Sequence, residues 1–148
     1  MVSRVYFYFM KLTKQHKKDL LEIRAKLEEV ADEFSSYIDT DLCGACGLGM
    51  LLTWRYFKSK KYNPMVLYCK NHCLIQVENL FVDLTATQYG YMKLFTGKIK
   101  DLEQIYGKQF VSYSHPGLLR LAFYSGWRHQ DPYWLLEMYD EINKGKSS

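Results

Sequence analysis

The sequence predicts an α+β domain in which a helical part packs on an antiparallel sheet. Three observations predict it. Apolar residues recur at helical spacing through "TKQHKKDLLEIRAKLEEVADEF". A Gly-rich break is followed by a second helical run, "CGLGMLLTWRYFKSK". Two β-rich runs then meet at "EN" in "HCLIQVENLFVDL".

In chain order, "RVYFYFM" at residues 4–10 is β-branched and aromatic. It suits a short strand or the apolar lead-in to a helix. Thr13 reads as the N-cap of a helix running from Lys14 to about Tyr37. Leu20, Ile23, Leu27, Val30, Ala31 and Phe34 form its buried stripe. "YIDTDLCGACG" breaks the period and reads as a loop. In it Asp39 and Asp41 are placed to cap the helix that starts near Cys46. Pro64 ends that second helix, because it disfavours helical geometry in Asn63. A meander follows: Met65–Cys69, His72–Val77, a tight turn at Glu78-Asn79, and Leu80–Leu84. After Gly90 the pattern weakens, with one more strand in "QFVSYS" and helices starting at Pro116 and Asp131.

The 148 residues carry no repeat, low-complexity tract or linker, so the whole chain, 1–148, reads as one domain. Hydrophobic residues at 48% are enough for a core that folds without a metal. The net charge of +4 is too small and too dispersed for a nucleic-acid face. No apolar run approaches the ~20 residues that cross a bilayer, and the start does not read as a signal peptide. The expected setting is a reducing one, the cytoplasm. There the four cysteines are thiols, ligands or catalysts rather than disulfides.

Three positions carry the chemistry. Cys46 stands where the Gly-rich loop enters a helix. The helix dipole and unpaired N–H groups there favour thiolate over thiol and can hold an oxyanion. Gly44, Gly47 and Gly49 clear side chains from the approach. His72 opens a strand and can take and return a proton near neutral pH. Asp83 is an acid between Val82 and Leu84 in an apolar strand, and a buried charge needs a partner. A hairpin turning at Glu78-Asn79 brings His72 and Asp83 onto neighbouring strands, in a register the sequence leaves open.

These residues, with "NHCLIQV" and "LFVDLTATQY", resemble the papain-like and transglutaminase-like superfamily of cysteine enzymes. "TATQY" is similar to the ending seen in small bacterial and phage-type members. The resemblance covers residues 41–90 and implies a papain-like fold. It implies Cys46 as nucleophile, His72 as general base and acid, and Asp83 as the acid that orients it. It also implies a protein or peptide substrate whose amide is cleaved, deamidated or transferred, without a cofactor. Gln88 and Asp41 are the candidates for a polar place beside the oxyanion.

A rival reading uses the same stretch. Cys43-x2-Cys46 and Cys69-x2-His72 have metal-like spacing, with Cys73 nearby as a fifth candidate ligand, and would make a zinc-binding interaction module. Strand alternation is expected to send Cys69 and His72 to opposite faces, and zinc leaves Asp83 without a task. His16, His115 and His129 are expected at the surface, with no partner evident.

Overall fold

Thr13 begins the first helix as its hydroxyl predicts. Its Oγ1 accepts the His16 N–H at 3.0 Å, and its own N–H is accepted by His16 Nδ1 at 3.1 Å. The pair is a capping box with imidazole in the place usually held by a carboxylate. His16 therefore has a partner, and its ring also packs edge-on against Tyr56, Phe57 and Tyr62. A computed structural model describes residues 10–33 and 45–117. Within it α1 spans Lys14–Glu33 and α2 spans Cys46–Ser59. The suggested strand at 4–10, the end of the first helix, the loop before Cys46 and the two C-terminal helices fall wholly or largely outside the described residues.

The meander forms with the expected bounds. β1 is Met65–Cys69, β2 is His72–Val77 and β3 is Leu80–Asp83. Two-residue turns join them: Asn71 in the first has φ 71° and Glu78 in the second φ 53°. Left-handed backbone at such positions matches the twist of a tight hairpin. Asn79 anchors its turn, since its side-chain oxygen accepts the Met10 N–H and its carbonyl accepts the Ile99 N–H, both at 2.8 Å. β4 (Phe95–Lys98) and β5 (Val111–Tyr113) complete an antiparallel sheet of order β4-β3-β2-β1-β5. A five-residue helix, α3 (Leu102–Tyr106), lies between them. The described architecture is thus α+β.

Strand alternation divides the apolar residues between two faces. Val66, Tyr68, Cys73, Ile75, Val77 and Val82 share one core with Leu20, Leu27, Leu48 and Phe57 of α1 and α2. Each such large side chain stabilises the fold by roughly 1.5–3 kcal/mol on burial. Leu67, Leu74 and Phe81 face the other way, onto Leu102 with Phe95, Tyr106 and Phe110 around them. Gly49 lets α2 settle close to the end of β3. A Cβ there would come within 2.8 Å of the Thr85 methyl. Phe57 of α2 is fully buried, while Trp54 and Tyr56 are half-buried at its edge. Among the described residues no helix is long and apolar enough to cross a membrane.

Candidate functional site

The β2–β3 register fixes what the sequence left open. Val77 pairs with Leu80 and Gln76 with Phe81, so His72, Leu74, Gln76, Phe81 and Asp83 alternate onto the same face. No bulge is needed. His72 Nε2 and Asp83 Oδ2 lie 2.7 Å apart, and both side chains are buried, at 0% and 2% exposure. Asp83 is saturated with donors. Tyr106 O–H donates to Oδ2 at 2.5 Å, and the Thr85 N–H donates to Oδ1 at 2.8 Å. The Thr85 hydroxyl adds a longer contact at 3.3 Å.

Cys46 is the first residue of α2, with Ala45 as N-cap and no side chain capping that end. Its thiol hydrogen-bonds both Cys73 and His72. The Cys73 S–H, donated to the Cys46 sulfur, is the strongest influence holding this thiol down to about 5. Burial opposes it, and the hydrogen bond and positive charge of His72 add to it. For His72, burial acts against the charged ring, but the Asp83 carboxylate and its hydrogen bond outweigh burial and raise it to about 10. Burial likewise works against the Asp83 anion, and the charge on His72 together with the hydrogen-bond donors around it keeps its carboxyl below the usual range. Cys73 is pushed well above 9 by burial and by the neighbouring Cys46, so it stays a donor. The consistent state is a Cys46 thiolate beside a His72 imidazolium held by an Asp83 carboxylate.

Aromatic rings wall this set. Tyr89 meets the His72 ring edge-on at 4.9 Å, and Tyr106 lies tilted against it at 5.4 Å. Gln88 Nε2 sits 3.5 Å from His72 Nδ1 and donates to the Thr85 carbonyl at 3.1 Å. Gln88 is half-buried and Tyr89 exposed, so the 3₁₀ turn Ala86–Tyr89 is the rim nearest the imidazole.

Sequence reasoning had singled out Cys46, His72, Asp83 and Gln88, and the fold brings all four together. Asp41 and Cys43 lie outside the described residues. The expectation that Cys69 and His72 face opposite sides is corrected. They are direct cross-strand partners at the β1–β2 turn, so their side chains leave the same face. Alternation applies along a strand, whereas these two residues sit across one. Even so, no group of three or more His, Cys, Asp or Glu side chains is arranged to hold a metal among the described residues.

Tyr106 and Arg24 were not foreseen, and the sequence marks Cys73 only as a candidate zinc ligand. Arg24 lies on the buried stripe of α1, four residues after Leu20, at 2% exposure. A basic residue on an apolar stripe was the available signal. Its Nη1 donates to the Leu84 carbonyl at 2.8 Å and to Thr87 Oγ1 at 3.1 Å. Its Nε donates to Glu28 at 2.8 Å. The guanidinium thus pins the segment that carries Thr85 and Gln88. Arg24→Met is expected to cost about 2–3 kcal/mol, the usual loss for charge-assisted buried bonds. Arg24→Lys should recover only part, because an ammonium lacks the planar fork. The midpoint of urea unfolding measures both, and equal stability of all three proteins would refute the clamp.

No family model, curated protein or solved structure matches the chain.

Proposed function

We propose that the protein is a thiol-dependent hydrolase or acyl-transfer enzyme of papain-like fold, acting on protein or peptide amides in a reducing compartment. The carrying observation is the unbroken contact chain from the Cys46 sulfur through His72 to Asp83, with the last link at 2.7 Å. Purely structural groups rarely combine a lowered thiol, a raised imidazole and a buried carboxylate at one point.

The chemistry follows from the charges. The Cys46 thiolate attacks the amide carbonyl carbon, and the electron pair of the C=O bond moves to oxygen. The N–H groups at the start of α2 face that oxyanion. His72 gives its proton to the departing amine as the C–N bond breaks, leaving a thioester on Cys46. Water or an amine then attacks the thioester while His72 takes up the proton it releases, and the C–S bond breaks to free the acid or new amide and restore the Cys46 thiolate. Asp83 holds the ring through Nε2 and stabilises its charged form. Gln88, the half-buried amide nearest Nδ1, serves the oxyanion or the substrate.

A direct test is acyl-enzyme trapping. The protein is incubated with an N-acetyl-peptide thioester and quenched in acid. Intact mass and peptide mapping should find the acyl group on Cys46 in the native protein. Asp83→Asn should accumulate it more slowly, and Cys46→Ala not at all. Acylation spread evenly over Cys46, Cys69 and Cys73 would defeat the reading.

A further inference from the structure

The face that presents His72 also opens a basic cleft. The β1–β2 turn Lys70-Asn71 forms one side of it and Lys108-Gln109 the other, with Cys69 between. The cleft holds about 370 Å³. Two turns shape it. Asn71, with φ 71°, lets β1 reverse in two residues and sets Lys70 at the rim. Gly107, with φ 65°, ends α3 and redirects the chain, so that Lys108 Nζ rests 5.3 Å above the Tyr89 ring.

The cleft and the imidazole share a wall. Cys69 is the cross-strand partner of His72, and Tyr89, under Lys108, meets the His72 ring at 4.9 Å. No carboxylate lines the cleft among the described residues. Burial pushes the Cys69 thiol up to about 11, so its floor carries no charge either. What remains is Lys70, Asn71, Lys108 and Gln109 around Cys69, the cross-strand neighbour of His72. That lining suits an anion of carboxylate size, with Lys70 and Lys108 as charge and Asn71 and Gln109 as hydrogen-bond donors.

We propose that this cleft is a substrate subsite for an acidic side chain, so that the protein acts on amides adjacent to Asp or Glu in an acidic peptide. This rests on the thiol-enzyme reading and names its substrate class. The test uses two reactive probes, bromoacetyl-Glu amide and bromoacetyl-Gln amide, which differ only in one charge. At low salt the Glu probe should alkylate Cys46 about three- to fivefold faster, the range open to exposed charge pairs. The double variant Lys70→Glu/Lys108→Glu should remove or invert that preference, read as the ratio of the Glu probe's rate to the Gln probe's in the same protein. Raising the salt to about 0.5 M should shrink the preference in the native protein. Equal rates for the two probes, with Cys46 still labelled, would overturn the subsite and leave the thiol reading standing. A preference that survives the double variant would overturn it too. Failure of both probes to label Cys46 would overturn the thiol reading and the subsite with it.

Discussion

Iodoacetamide at pH 6 should label Cys46 ahead of every other described thiol, and His72→Ala should slow that labelling by up to about tenfold. The size follows from two opposing effects. An ordinary thiol, with a pKa near 8.5, is only about 0.3% thiolate at pH 6. Cys46, held down to about 5, is almost wholly thiolate there. The population advantage is therefore about 300-fold, but a weaker base is a poorer nucleophile, which takes back about 40-fold. A net factor near ten survives. Removing the imidazole deletes a hydrogen bond and a positive charge from the thiolate but leaves the larger influence, the Cys73 hydrogen bond, so the thiol rises part of the way and about tenfold is the ceiling of the slowing. The native rate should climb through pH 5 and then stay level, whereas the variant's should keep climbing into the alkaline range. Cys69 and Cys73, both raised by burial, should remain slow throughout. Mass mapping of the label against pH decides the matter. An unchanged rate in His72→Ala at pH 6 would rule out the ion pair.

Asp83→Asn should be the most destabilising single change near the site, and its cost should depend on pH in a defined window. Removing one member of a buried pair typically costs about 3–5 kcal/mol, because the other is left charged or misplaced. For a domain of this size that is a drop in Tm of about 10 °C. The signs come from the two partners. His72 has its folded pKa raised from 6.5 to about 10, so its share of the stability is complete below pH 6.5 and fades as pH rises toward 10. Asp83 has its folded pKa lowered from 3.8, so its share is complete above pH 3.8 and fades as pH falls below that. The Tm difference between native protein and variant should therefore be greatest between about pH 4 and 6.5 and should narrow on both sides. A constant difference from pH 3 to 10 would mean that the carboxylate acts by packing alone. Tyr106→Phe offers a comparison, since it removes the donor at 2.5 Å and keeps the ring.

How much of this was legible before the fold was known differs by element. The β2–β3 hairpin was, because apolar residues bounded by Glu78-Asn79 leave few ways to turn, though its register became definite only in the fold. The start of α1 was also plain, since Thr13 carries an N-cap signal that needs no tertiary context. β4 was not. Its sequence Phe-Thr-Gly-Lys has one apolar side chain, and it is a strand because bare Gly97 lies across from the Phe81 ring. α3 is too short, at five residues, to display a period. Arg24 reaches a carbonyl 60 positions away and Tyr106 a carboxylate 23 away, distances over which a single sequence holds no pattern. The part Cys73 plays beside Cys46 was hidden for a different reason. It directly follows His72, so alternation assigns it to the opposite face, yet Cys46 at the helix start meets both.

The β2–β3 hairpin has a consequence for how this molecule can vary over generations. Alternation makes the pairing of base and acid a matter of parity within the strand: a residue inserted between Leu80 and Asp83 would send Asp83 to the wrong side, whereas one added in the link leaves the cross-strand pairing as it is. Drift in length is thus tolerable at the tip of the hairpin but forbidden in the short strand that leads from it to the acid. The stretch least open to change beside the site is that strand rather than its loop.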